Sequence, residues 1–151
     1  MAKFHLAQLN IAMAIDDIDS PTMAPFVALL DEIIALAEAS DGFVWRLDDE
    51  IDSVPSISIY DDPRVIVNMS VWEDLSTLQD YVYKSAHTQV MARRREWFLA
   101  MKEAYHVLWW IEAGVDPTLV EAKERLDHLR LHGPSEFAFT FKSPFAQPMA
   151  V

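Results

Sequence analysis

The apolar residues of this chain change period along its length, and the order of those changes constrains the fold more than any other feature. A period near two marks a strand with one buried face, and a period near 3.6 marks a helix with one apolar stripe. Residues 4–11, Phe-His-Leu-Ala-Gln-Leu-Asn-Ile, are short and apolar with scattered polar residues, which suits a central strand. Asp19-Ser20-Pro21 then offers a capping hydroxyl and a proline for the first helical position. Phe26, Leu29, Leu30, Ile33 and Ala37 lie on one stripe, which predicts a helix from about 21 to 39, stopped by Asp41-Gly42.

Phe43 to Leu47 alternates Phe43, Trp45, Leu47 against Val44 and Arg46, and reads as a strand. Residues 48–63 are acidic, carry two prolines and read as an exposed connection. Val65 to Trp72 is rich in β-branched residues and has no breaker, so it is the strongest strand signal. Asp74 can cap a helix carrying Leu75, Leu78 and Val82. A second helical stretch, about Ala86 to Lys102, places Ala86, Val90, Trp97 and Met101 on one side. Tyr105 to Ile111 closes the core as a strand.

The order is strand, helix, strand, strand, helix in two pieces, strand. That is the βαββαβ plan of an α+β, ferredoxin-like domain, with four strands in one sheet and helices on one face. The other face is also apolar and needs a cover. A second copy of the sheet would supply it, which makes a homodimer closed as a dimeric α/β barrel the expected assembly.

The whole chain, 1–151, reads as one domain: a core over 1–112, and a C-terminal helix with an aromatic arm over 113–151. In that extension Asp116-Pro117 caps a helix with Leu119, Ala122, Leu126 and Leu129 on one stripe, and Gly133-Pro134 ends it. Phe137, Phe139 and Phe141 then alternate, with Phe145 beyond, so the arm is expected to pack on the body or on a partner.

Composition narrows the function. Apolar residues make up 52% of the chain, too many for a disordered one. Three glycines leave little room for Gly-rich phosphate loops. Twelve basic residues face 24 acidic ones, a net charge of −12, whereas nucleic acids and anionic membranes are held by Lys and Arg. No nucleic-acid or membrane partner is therefore expected. No cysteine is present, which removes disulfides, thiolate metal sites and Cys nucleophiles. The start, Met1-Ala2-Lys3-Phe4-His5, shows no apolar signal core, and no stretch reaches the roughly 18 apolar residues of a membrane span. A cytoplasmic, bacterial-type protein is the expectation.

Val67-Asn68-Met69-Ser70-Val71-Trp72-Glu73-Asp74-Leu75, followed by Tyr83-Lys84-Ser85-Ala86-His87, resembles the strand–helix–His segment of antibiotic-biosynthesis-monooxygenase-like proteins, a dimeric α/β barrel superfamily. The chain also resembles a bacterial family described only as a domain of unknown function. Leu6 to Ile11, Gly42 to Arg46, Arg93-Arg94-Arg95-Glu96-Trp97-Phe98, Leu108-Trp109-Trp110, and Gly133-Pro134 with Ala138 to Phe141 carry that likeness. The superfamily resemblance implies the fold and the dimer. It brings several activities with it: cofactor-free monooxygenases of aromatic polyketides, haem-degrading enzymes, and proteins with no known reaction. The acidic 48–63 connection and the long C-terminal extension depart from the common pattern. The expected ligand is accordingly a small hydrophobic, aromatic or polycyclic molecule, and the expected cofactor is none or haem.

His87 is the sharpest candidate for chemistry. It precedes Val90 and Met91 by three and four residues, so on a helix it borders the apolar face. Three roles fit: a packed histidine, a general base, or, as the resemblance to haem-degrading relatives implies, an axial ligand to haem iron. Strand alternation gives a second set. Asn68, Ser70 and Trp72 share one face, as do His106, Leu108 and Trp110, and as do Gln8 and Asn10. In the ferredoxin-like order the first strand lies between the other two, so these residues converge. Their amides either bond one another or trapped water, or are satisfied by a ligand. Asn68 and His106 join His87 as candidate catalytic residues, and Asn10 as a ligand-binding one. Trp45, Trp97, Trp109 and Trp110 either fill the core or bracket a flat ligand, with Trp97 and Trp110 the candidates for contact. Arg94, in the one basic cluster Arg93-Arg94-Arg95, either binds a ligand carboxylate or pairs with the acidic surface. His128 and His132 stand four apart without an evident third ligand, so no metal site is expected.

Overall fold

The computed structural model describes residues 3–17, 19–47, 64–84, 93–101 and 103–148, without the side chains of Lys84 and Arg94. The expected 48–63 connection lies outside these residues, as do 86–92 and 102 of the expected 86–102 helical stretch.

Four antiparallel strands form one open sheet among the described residues: β1 (Phe4–Met13), β2 (Phe43–Arg46), β3 (Val65–Trp72) and β4 (His106–Glu112), in the order β2-β3-β1-β4. β1 is central, as its unbroken apolar character predicts, and extends two residues beyond the expected end at Ile11. Between β1 and β2 runs α1 (Ala24–Glu38). It begins after a turn over 21–23, with Pro25 in its first turn, where a missing N–H costs nothing. α2 (Leu75–Lys84) follows β3. Asp74 caps it: its carboxylate accepts the Thr77 N–H at 2.8 Å.

The second helical stretch ends earlier than its periodicity predicts. Helix is described only over α3 (Arg94–Trp97). Phe98 then pairs as an isolated bridge with Ala14; Ile15 donates to the Trp97 carbonyl at 2.8 Å and Leu99 to the Met13 carbonyl at 2.9 Å. The physical reason is visible in where the side chains go. Trp97 packs with Ala14, Met23 and Phe26, whereas Met101 packs with Leu9, Met69 and Trp109 on the opposite side of the sheet. One helical stripe cannot serve both faces, so the chain leaves the helix and crosses the end of the sheet.

The last helix, α4 (Leu119–His132), is capped by Thr118 rather than by Asp116. The Thr118 hydroxyl accepts the Glu121 N–H at 3.1 Å, in a Thr-x-x-Glu pattern that the Asp-Pro pair before it obscures. Gly133 ends the helix with φ +79°, a left-handed value that suits glycine.

Helices cover both faces of the sheet, not one. Ala7, Leu9, Ile11, Met69, Val71, Val107, Trp109 and Ile111 point to the side where α4 buries Leu119, Ala122, Leu126 and Leu129. Each fully buried leucine there stabilises the fold by about 1.5–3 kcal/mol. The alternate strand residues face α1 and α2. Leu6, Trp72 and Leu108 pack there with Leu78, and Ile66 packs with Phe26 of α1. The arm that follows α4 rounds the β4 edge. Phe139 exchanges two backbone hydrogen bonds with Leu108, of 2.8 and 2.9 Å, and its ring is completely buried on the α1/α2 side. The expectation that the arm packs on the body holds, and α4 takes part of the sheet face that had been assigned to a second copy.

Candidate functional site

The strand register sets three cross-strand rows on the α1/α2 side: Trp72–Leu6–Trp110, Ser70–Gln8–Leu108 and Asn68–Asn10–His106. Polar side chains fill most of the last two. Gln8 and Ser70 are buried, each 6% exposed, so their polar atoms need partners. Gln8 is the hub. Its amide nitrogen donates to Asn68 Oδ1 at 2.9 Å and to Ser70 Oγ at 2.8 Å. Its Oε1 lies 3.1 Å from His106 Nε2. An amide oxygen can only accept, so Nε2 carries the hydrogen and Nδ1 holds the lone pair. Ser70 Oγ also accepts the Trp72 indole N–H at 2.9 Å. Four residues on two neighbouring strands thus hold His106 in one tautomer.

Aromatic rings close on this network. Phe141 from the arm lies against the His106 imidazole, centroids 5.1 Å apart and planes 32° off, and meets Tyr83 of α2 edge-on at 5.8 Å. Tyr81 stacks on Trp72 at 5.1 Å and donates its hydroxyl to the Ile33 carbonyl at 3.2 Å. Burial pushes the Tyr81 phenol up to about 12. His106 and Asn10 are half-buried and Asn68 is exposed, so this row is the outer margin of the network.

Of the candidates read from sequence, Asn10, Asn68 and His106 come together. Trp110 shares their face, two positions along β4 from His106, but its indole N–H is taken by the Phe145 carbonyl at 2.9 Å. Trp97 does not join them. It is 1% exposed, packed against Phe26 at 5.5 Å and covered by the Arg93 guanidinium at 4.6 Å from its ring. The four tryptophans do not bracket a ligand, because Trp45 and Trp109 pack on the α4 side, Trp97 beside α1 and Trp110 under the arm. Arg94 opens α3, with its side chain undescribed; its neighbour Arg93 forms an exposed pair with Glu96 at 2.8 Å. His87 lies outside the described residues.

Sequence reasoning placed Gln8 and Ser70 on the right face but did not single them out as the centre of the network. Their signal is polarity inside otherwise apolar strands. Phe141 and Tyr83 were missed as neighbours of the site, because nothing in a local pattern shows that the arm rounds the β4 edge.

On the opposite side, Arg125 and His128 flank Phe137, with the guanidinium carbon 3.9 Å and the imidazole centroid 4.8 Å from that ring. His128 and His132 lie 4.6 Å apart. Burial lowers the pKa of Arg125, while Glu121, an exposed-side partner at 3.3 Å, raises it.

No curated protein matches this chain. The crystal structure of a protein of unknown function from Nitrosomonas europaea is similar to it at 14% identity, over 76% of this chain and 94% of that one, with a TM-score of 0.47. At that score the likeness decides nothing about fold or activity. The profile of a domain of unknown function, DUF3291, matches residues 5–151, nearly the full length, and the chain belongs to that family.

Proposed function

We propose that the protein is a ferredoxin-like, dimeric α/β-barrel domain that binds a small aromatic or polycyclic molecule against the Asn68–Asn10–His106 row. The strand order β2-β3-β1-β4 with all pairs antiparallel supports the ferredoxin-like assignment. The observation that carries the site is the 3.1 Å bond between His106 Nε2 and Gln8 Oε1. A base needs such anchoring, because proton transfer depends on a fixed lone pair at a fixed place.

The chemistry this favours is monooxygenase-like and uses no cofactor. His106 Nδ1 would take a proton from an acidic C–H or O–H of the substrate. The resulting electron-rich anion is the reductant and dioxygen the oxidant. At a methylene flanked by aromatic rings, one oxygen atom enters as a carbonyl and the other leaves as water, which balances the step. Asn68 and Asn10 would hold the oxygen that carries the developing charge. The haem reading rests on His87, and nothing among the described residues adds to it.

The dimer belongs to the same proposal. Trp45, Leu47, Val65 and Val67 are only half-buried on the α4 side of the sheet, toward β2, and give a second copy an apolar surface to cover.

Titration with dihydroxynaphthalene, read by tryptophan fluorescence and by oxygen uptake, tests the site. Saturable quenching is expected for the wild type, with loss of any oxygen uptake and retention of binding in His106→Gln. Absence of saturable binding by any such aromatic would overturn the proposal.

A further inference from the structure

The outer row offers more than a base, and its unspent hydrogen-bonding groups specify what edge a ligand must present. Gln8 is fully used: both donors and its acceptor have partners. Asn68 accepts one hydrogen bond from Gln8 through its oxygen, and both its N–H groups are unspent among the described residues. Asn10 sits between Asn68 and His106 in the register, is half-buried, and makes no side-chain hydrogen bond among the described residues. Its carboxamide is not among the buried polar atoms without partners, so its donor and its acceptor both stay open to a ligand at the margin of the sheet.

An Asn carboxamide is met best by a group with the same pattern reversed, an N–H and a C=O side by side. Charge narrows the class further. The β1, β3 and β4 residues on this face, Phe4, Leu6, Gln8, Asn10 and Ala12, Ile66, Asn68, Ser70 and Trp72, and His106, Leu108, Trp110 and Glu112, include no Lys or Arg; on β2, Arg46 stands in register with Ser70 and faces Glu38 at 3.9 Å. The chain as a whole carries −12. An anionic ligand would meet on the sheet only the Arg46 guanidinium, one row away and already facing Glu38, and a repulsive field outside it. Phe141 and Tyr83 stand at the margin of the row and give a flat ring a surface to pack on.

Resting on the small-molecule reading above, we infer that the site recognises a neutral planar ligand through a cis-amide edge, a lactam or cyclic imide fused to an aromatic ring, paired with the Asn10 carboxamide and with an Asn68 N–H on the ligand carbonyl. Dispersed apolar contact alone would not discriminate among flat molecules. A paired amide would, because an analogue lacking the N–H leaves the Asn10 oxygen unmet.

Calorimetric titration of the full chain with four probes tests this: carbostyril, which is a benzo-fused lactam; its N-methyl derivative; naphthalenediol; and naphthoate. Carbostyril is expected to bind at least about tenfold more tightly than the N-methyl form, a difference of about 1.4 kcal/mol. Naphthoate is expected to bind least. In Asn10→Leu the preference for carbostyril over its N-methyl form should vanish. Equal binding of carbostyril and N-methylcarbostyril by the wild type would overturn the amide-edge inference and leave the aromatic site standing. Failure of all four to bind would remove both. The wild-type comparison holds whether or not Asn10→Leu folds.

Discussion

His106 of β4 donates its Nε2 hydrogen to Oε1 of Gln8 on β1, 3.1 Å away across neighbouring strands and 98 residues apart in sequence. Gln8 can do this only because its own two N–H groups are taken by Asn68 and Ser70 on the other neighbouring strand. The histidine is therefore oriented by both β3 and β1. Gln8→Leu should leave His106, Asn68 and Ser70 without their shared partner and lower stability by about 1–3 kcal/mol. Ser70→Ala should cost a similar amount, since it strands the Gln8 amide and the buried Trp72 indole N–H. In chemical denaturation the double variant should lose less than the sum of the two, by about 0.5–3 kcal/mol. Strict additivity would show that the network is not a unit.

The arm is held by the Leu108–Phe139 backbone pair, the Trp110 bond to the Phe145 carbonyl, the Arg125 bond to the Phe137 carbonyl and the Phe139 ring in the core. Phe139→Ala should cost about 3–5 kcal/mol, in the range for emptying a buried aromatic site. Ending the chain after Gly133 should cost more, because Phe141 and Phe145 go too. A truncated chain that melts with the full-length protein would show the arm to be dispensable.

Tyr81 gives a pH signature. Its folded pKa, about 12, is above the ordinary 10.0 because burial disfavours the phenolate. The unfolded chain therefore loses that proton first as pH rises. The stability from keeping Tyr81 neutral is complete below about pH 10 and falls away as pH climbs toward 12. An absorbance titration of tyrosinate should show a late step that coincides with unfolding, and Tyr81→Phe should remove that step.

The proposed dimer predicts a light-scattering mass of two 17.3 kDa chains at micromolar concentration. Replacing Val67, half-buried on the α4 side toward β2, by Lys should shift the mass to one chain while the far-ultraviolet circular dichroism stays unchanged. A wild type that runs as a single chain would contradict the dimer and leave the site on the α1/α2 side intact.

Much of the fold was legible because strand period and helix period differ sharply in this chain. Val65–Trp72 matched to the residue, and alternation together with the expected strand order brought Asn68, Asn10 and His106 together. Alternation does not say which surface the helices cover. Here the polar side lies under α1 and α2, and the apolar side under α4. Two features were illegible for a different reason. The break after Trp97 comes from tertiary demand, since Trp97 and Met101 belong to opposite faces of the sheet although their spacing fits one helical stripe. The approach of Phe141 to His106 depends on the arm rounding the β4 edge, a contact between residues 35 apart that no local pattern encodes.

The central claim is that the Asn68–Asn10–His106 row receives a small planar molecule. Its most direct test follows the side-chain amide resonances of Asn10 and Asn68 and the ring resonances of His106 while dihydroxynaphthalene is added to the intact protein. The Trp109 indole, buried on the α4 side, serves as the internal reference. The account predicts saturable shifts in all three row residues, with Trp109 unmoved. Shifts confined to Trp109 and α4, or none at any of these side chains, would contradict it.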